Sequence, residues 1–402
     1  VGAQVSIMNR SKWHRSVTLL IMCWGMAGCS SLGDKLNPFN WFASRPGIKP
    51  AELVEIKAPA ITFSALWRTS TSAAGAFAFA PALADGAVYA AGSAGDLSAI
   101  DAQTGAQRWR IQASRDGLSA GVGALGDTVV VGTIKGDVLA FDSKGQEKWK
   151  AAVSSEILAP PLVTPQGVFI RSNDNRIYAF SAQDGRRLWV YQRTAPALIV
   201  RNFGGLSASS ETIFGGFAGG RLVALNIANG TVRWEGTVAL PKGATELERI
   251  ADVTSSPVIS ARDVCAVAYQ GRAACFEAAN GQPIWAREVS SFMGLTYDAR
   301  YVFVSDDKSS LVALARATGS SLWKQDQLAY RSLSAPLSLS RAVVVGDFQG
   351  ILHAVAREEG GIIGRTQSDG SAITAQPIPL ATPGKEAFVV QTRNGGVFAF
   401  SL

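Results

Sequence analysis

A short motif that returns about every 40 residues constrains this chain more than any other feature. Its cleanest copy is Gly95-Asp-Leu-Ser-Ala-Ile-Asp-Ala-Gln-Thr-Gly-Ala-Gln-Arg-Trp109, a strand, a Gly turn and a second strand bearing Trp. Further copies run from Gly136 to Trp149, Asn175 to Trp189, Gly220 to Trp234, Gly271 to Trp285 and Ser309 to Trp323. A seventh, from Gly350, lacks its Trp, and an eighth, from Gly395, reaches Leu402. The small residue of each copy stands at Ala99, Ala140, Ala179, Ala224, Cys275, Ala313, Ala354 and Ala399. Eight units of this period, each about the length of one four-stranded blade, predict a closed ring.

The remaining strands of each unit fit that reading. A short strand, often entered through Pro (Pro81, Pro161, Pro257, Pro336), precedes an apolar one such as Ala342-Val-Val-Val-Gly346; Pro is tolerated where a strand begins because that residue need not donate to the ladder. The third strand then carries the small residue and the fourth ends in Trp. The Gly between them takes the positive φ of a tight hairpin. Small side chains are expected to let blades approach near the axis, and Trp to bury the face that a lone blade leaves open. The eighth copy stops after its third strand, while Ile61 to Arg68 reads as an outer strand ending in Trp67. The fold class is therefore all-β: an eight-bladed β-propeller of four-stranded blades, closed by an N-terminal strand, which removes its open sheet edges. Composition agrees, with 47% apolar residues, 17% charged residues and 41 Gly, the profile of many short strands joined by tight turns.

The net charge of +7 does not point to nucleic acid. Arg10, Lys12 and Arg15 sit ahead of an apolar run, and the other cations are dispersed with no basic stripe. The run from Val17 to Gly28 is too short for a bilayer-spanning helix and reads as the core of a signal peptide. It ends at Met26-Ala27-Gly28-Cys29, which resembles a bacterial lipobox and implies acylation of Cys29. Ser30 is not the Asp that would resemble an inner-membrane retention signal, so the outer membrane is the expected address, with the chain facing the periplasm. Several acyl chains suffice for stable anchoring without a transmembrane helix. The expected organisation is a signal peptide over 1–28, with 1–7 a spurious extension before Met8, a lipidated tether over 29–59, and the propeller over 60–402.

The Ala-x-Asp-x-x-Thr-Gly-x-x-x-Trp pattern resembles the repeat of pyrroloquinoline-quinone enzymes, and also that of the BamB family, lipoprotein scaffolds of the β-barrel assembly machinery. The enzyme reading needs a quinone site, a calcium site and a base. In the alcohol dehydrogenases of that group a vicinal Cys pair faces the cofactor, and this chain has no adjacent Cys residues. Of its two His, His14 lies in the signal segment and His353 inside a repeat strand, so neither makes a metal site. No catalytic residue, cofactor or metal is expected. A quinoprotein-like periplasmic dehydrogenase and a propeller lipoprotein binding some other periplasmic ligand are the alternatives.

The BamB resemblance spans lipobox, tether, blades and closing strand, and two segments sharpen it. Trp189 to Trp234 covers 45 residues and Trp234 to Trp285 covers 51, against 38 to 42 elsewhere. Both insertions fall between one blade's last strand and the next blade's first, so they are expected to share one face. They look like the BamB segments that engage the POTRA domains of BamA. By that resemblance Leu198, Val200 and Arg201 supply an apolar and cationic anchor and Asp252 a nearby carboxylate, while Thr254 replaces a family Asp and removes one ionic contact. An apolar patch with an Arg has the composition of a binding hot spot. Unfolded outer-membrane proteins are a further expected partner of strand edges or of the channel face. Cys265 and Cys275, in strands joined through Gln270-Gly271-Arg272, are either a disulfide or buried thiols.

Overall fold

A computed structural model of the chain describes residues 49–402, apart from 195, 197 and 202. The expected signal segment, Cys29 and most of the expected tether lie outside these residues. Among the described residues, eight antiparallel four-stranded sheets follow one another around a ring, and no helix is long and apolar enough to cross a membrane. Blade 1 shows the pattern, with strands Ala82–Ala84, Ala87–Ala91, Asp96–Asp101 and Gln107–Gln112 in spatial order from the axis outward. The second and third strands of each blade are buried on both faces, so they read as near-continuous apolar runs rather than alternating ones.

The fourth strand does not end in Trp. Trp109 is its third residue and pairs with Ala99. Opposite residues of an antiparallel pair project to the same face, so the small residue makes room for the indole beside it. All eight small residues are 0% exposed. Their role lies at the third strand, next to the rim, and the expected close approach at the axis gives way to this one. Each indole reaches into the following blade. Trp67, Trp109, Trp149, Trp189, Trp234, Trp285 and Trp323 each donate Nε1–H to a carbonyl of the next blade at 2.7–3.0 Å. The Gly of that blade's hairpin lies against the ring; a Cβ on Gly185, at φ +69°, would come within 2.6 Å of Trp149. Positive φ and lack of side-chain space thus require Gly together at this position.

The closing strand is Ser64–Ser70, paired antiparallel with Gly396–Ser401. The residues just before it do different work from the strand expected over 61–68. Blade 7 has Gly364 opposite Ala354, where the other blades carry Trp, and Ile61 packs there against Ala354, Ala342 and Ile363. Its N–H donates to Ile363 O at 3.1 Å. The missing seventh Trp is therefore replaced from the N-terminal segment. In blade 5, Cys265 and Cys275 face each other on adjacent strands, Cα atoms 4.1 Å apart, and form a disulfide.

His353 is wholly buried in blade 7. Its Nδ1 accepts from Arg365 at 3.2 Å, so Nε2–H donates to Asp347, 3.1 Å away. Arg331 pairs with the same carboxylate and donates to Ala51 O, and Arg365 donates to Val54 O, which straps residues 51–54 onto blades 6 and 7. Burial holds the imidazole below its ordinary pKa, against the opposing pull of Asp347. The unfolded chain then takes up a proton first, so stability contributed above about pH 6.5 is lost as pH falls toward the depressed folded value. Scanning calorimetry should show the melting temperature dropping on acidification from about pH 7.5 to 5, and His353→Gln should flatten that part of the decline. An unchanged slope in the variant would place the titrating group elsewhere.

Candidate partner-binding face

The two lengthened connections, 193–205 between blades 3 and 4 and 238–257 between blades 4 and 5, meet. Asp252 clasps them: its Oδ2 accepts from Val200 N at 2.8 Å and its Oδ1 from Gly219 N at 3.0 Å. Val200 and Ile250 pack with Tyr269 and Phe292, and Phe203 and Met293 lie against this cluster. Burial raises the Asp252 carboxyl above the ordinary carboxylate value, opposed by these two amides and by the charge of Arg171. Arg171 lies beneath, over the Phe217 ring at 5.0 Å, its pKa depressed to about 10 by burial.

The four residues singled out from sequence divide into two pairs. Val200 and Asp252 are 8% and 3% exposed and shape the loop from inside. Leu198 is 44% exposed. Arg201 is partly exposed, bonded through one NH2 to Glu156 at 2.7 Å, with its guanidinium 5.7 Å from the centre of the Phe77 ring. One of its five N–H donors is used in that bond, so it keeps donors for a further acceptor. Thr254, expected to mark a lost ionic contact, is buried and donates to Phe292 O at 2.8 Å. A carboxylate there would face a carbonyl oxygen, which makes the hydroxyl the fitting choice.

Sequence reasoning missed two residues. Leu240 and Leu247 are exposed on the second connection, at 56% and 61%. Leu247 rides on a single capped turn, where Glu248 N donates to Thr245 Oγ1 and Glu248 Oε2 accepts from the amides of Ala244 and Thr245. The reciprocal bonds are those of a capping box, and the spacing of Thr245 and Glu248 was the signal available in the sequence. Each connection thus presents exposed leucine, Leu198 on the first and Leu240 and Leu247 on the second.

Ring and loops together define an eight-bladed propeller scaffold distinguished by two lengthened, mutually bonded connections. The family described as outer membrane protein assembly factor BamB matches residues 60–120 and 93–325. The Burkholderia pseudomallei assembly factor BamB is 40% identical over 352 residues, covering 87% of this chain and 91% of that protein. The Bordetella pertussis one is 38% identical, with 96% of each covered. The crystal structure of BamB from Moraxella catarrhalis superposes with a TM-score of 0.75 at 26% identity, covering 85% of this chain and all of that one. The chain belongs to the BamB family, and its role is that of a non-enzymatic factor in outer membrane protein assembly. A quinohemoprotein alcohol dehydrogenase of Pseudomonas putida, at TM-score 0.69 and 14% identity, shares the fold alone.

Proposed function

We propose that the face built by residues 193–205 and 238–257 binds the POTRA domains of BamA. Leu198, Leu240 and Leu247 contact the partner, Arg201 gives a charged edge, and Val200 and Asp252 hold the loops in register. The observation that carries this reading is the exposure of leucines on both of the segments that lengthen the repeat. Apolar anchors beside an Arg match the makeup of interface hot spots. Acylated Cys29 holds the ring at the outer membrane on its periplasmic side, with the residues between Cys29 and the strap at 51–54 as tether.

Binding of a purified POTRA fragment to the full-length lipoprotein tests this. Leu198→Asp combined with Arg201→Glu should weaken it by about 2 kcal/mol or more, roughly 30-fold, with an unchanged circular dichroism spectrum. Affinity kept within about threefold, under 1 kcal/mol, would remove the loops from the interface. Cys29→Ser should move the protein from the membrane fraction to the soluble one; retention on the membrane would overturn the lipid anchor.

A further inference from the structure

Two cysteines occupy both members of one recurring pair. In the other seven blades the small Ala of the third strand faces a larger apolar residue of the second, as Ala99 faces Tyr89, Ala179 faces Phe169 and Ala354 faces Val344. Blade 5 has Cys275 in the small position and Cys265 in the large one, and the two are bridged. One Cys alone would be an ordinary small buried residue. Replacing both members of the same rung makes a crosslink.

The bridge is sealed inside the ring. Both residues are 0% exposed. Trp285 lies opposite Cys275 on the outer side, and blade 6 packs onto the same cluster with Leu295, Val302, Val304, Val312 and Leu314. Making or breaking a disulfide requires a thiolate to attack a sulfur, and apolar surroundings disfavour the thiolate. The closed ring therefore offers an oxidant neither access nor a reactive thiol.

On the open chain both obstacles vanish. The strands Asp263–Val267 and Arg272–Glu277 form a local hairpin, and the cysteines are only 10 positions apart, so the thiols meet without the rest of the ring. Their cover, the strands of blade 6 from Gly294 to Ala315, lies C-terminal to them. A chain that folds from its N-terminal end exposes the pair before that cover is in place.

We infer that this chain is the substrate of a dithiol oxidation that occurs before blade 6 closes over blade 5, in an oxidising compartment where such bonds form. The co-reactant is a disulfide. One cysteine thiolate attacks a sulfur of that disulfide and expels a thiolate; the second cysteine attacks the resulting mixed disulfide and expels the other. Two cysteine thiols become the bridge, their two protons pass to the expelled thiolates, and the oxidant leaves reduced to thiols. The same hairpin backs the second lengthened connection, since Tyr269 N in its turn donates to Asp252 O at 2.8 Å. The crosslink thus braces the support of those loops, whatever they bind.

Alkylation followed by peptide mass mapping of residues 265 and 275 tests the inference. Protein trapped with N-ethylmaleimide in intact cells should carry the bridge and no free thiol at either position; free thiols there would overturn it. Dithiothreitol should open the bridge of the native lipoprotein at least about 100-fold more slowly than that of the urea-unfolded chain, because reduction must await opening of the ring. Comparable rates would show that the closed ring admits the reaction. Reduced, unfolded protein diluted from urea should form the bridge within minutes when glutathione disulfide is present from the start. Added after the circular dichroism spectrum has recovered, the same reagent should act at least about 100-fold more slowly. A late rate that matches the early one would overturn the order proposed, while a reduced chain that regains its spectrum only once the oxidant arrives supports it.

Discussion

A chain shortened to begin at Ser72 should fail to form a monomeric ring and should elute from size exclusion as oligomers and aggregate. The strand Ser64–Ser70 is the outer strand of blade 8, and its removal leaves Gly396–Ser401 as a free edge bearing Val397, Phe398 and Phe400. Unpaired apolar edges recruit other strands. The truncation also removes Trp67, 8% exposed and bonded to Ala102 O across the blade 8 to blade 1 junction, and Ile61, 5% exposed in the place of the seventh Trp. Losing an aromatic of this kind costs about 3–5 kcal/mol and a buried Ile about 1.5–3. Their sum is of the order of a whole domain's stability, roughly 5–15 kcal/mol. A peptide spanning 58–71 should restore the monomer when added in trans. A shortened chain that stays monomeric with an unchanged melting point would show that the ring does not depend on this closure.

Trp149→Ala should lower stability by about 3–5 kcal/mol, read as a shift of the urea midpoint. The indole is 6% exposed, its N–H bonds Ala182 O at 3.0 Å, and Gly185 lies against its ring. Truncation empties the contact between blades 2 and 3 and leaves a carbonyl short of its donor, and interiors relax only partly around such a void. Leu322→Ala is the matched control, because Leu322 is 49% exposed beside a comparable Trp; its effect should stay within about 0.5 kcal/mol. Equal effects from the two substitutions would mean that the indoles do not lock the blades.

The features legible in advance were those that repeat. Ala99 opposite Trp109, and the same pair in the other blades that keep the Trp, could be aligned by eye because one packing problem is solved repeatedly with the same residues. Where the problem was solved once, the chain gave less away. Ile61 replaces a Trp that is 300 residues distant in sequence, and no local pattern joins them. The fourth strand does not end at its Trp as expected, because Arg110, Ile111 and Gln112 go on pairing with Ser98, Leu97 and Asp96.

The binding face divides along the same line. Extra length between blades was visible in the sequence, since a period either holds or is broken. That Val200 and Asp252 turn inward while Leu198, Leu240 and Leu247 turn outward was not visible, because an Asp in a loop is equally suited to solvent and to capping amides. Burial decided it: the buried N–H of Val200 and the half-buried N–H of Gly219 needed acceptors, and Asp252 supplied one oxygen to each. The sequence by itself determined a ring of eight blades, since eight amphipathic units of one period bury their faces only on each other. Tertiary structure alone decided which side chains remain for a partner, because that depends on which polar groups the ring has already used to satisfy its own backbone.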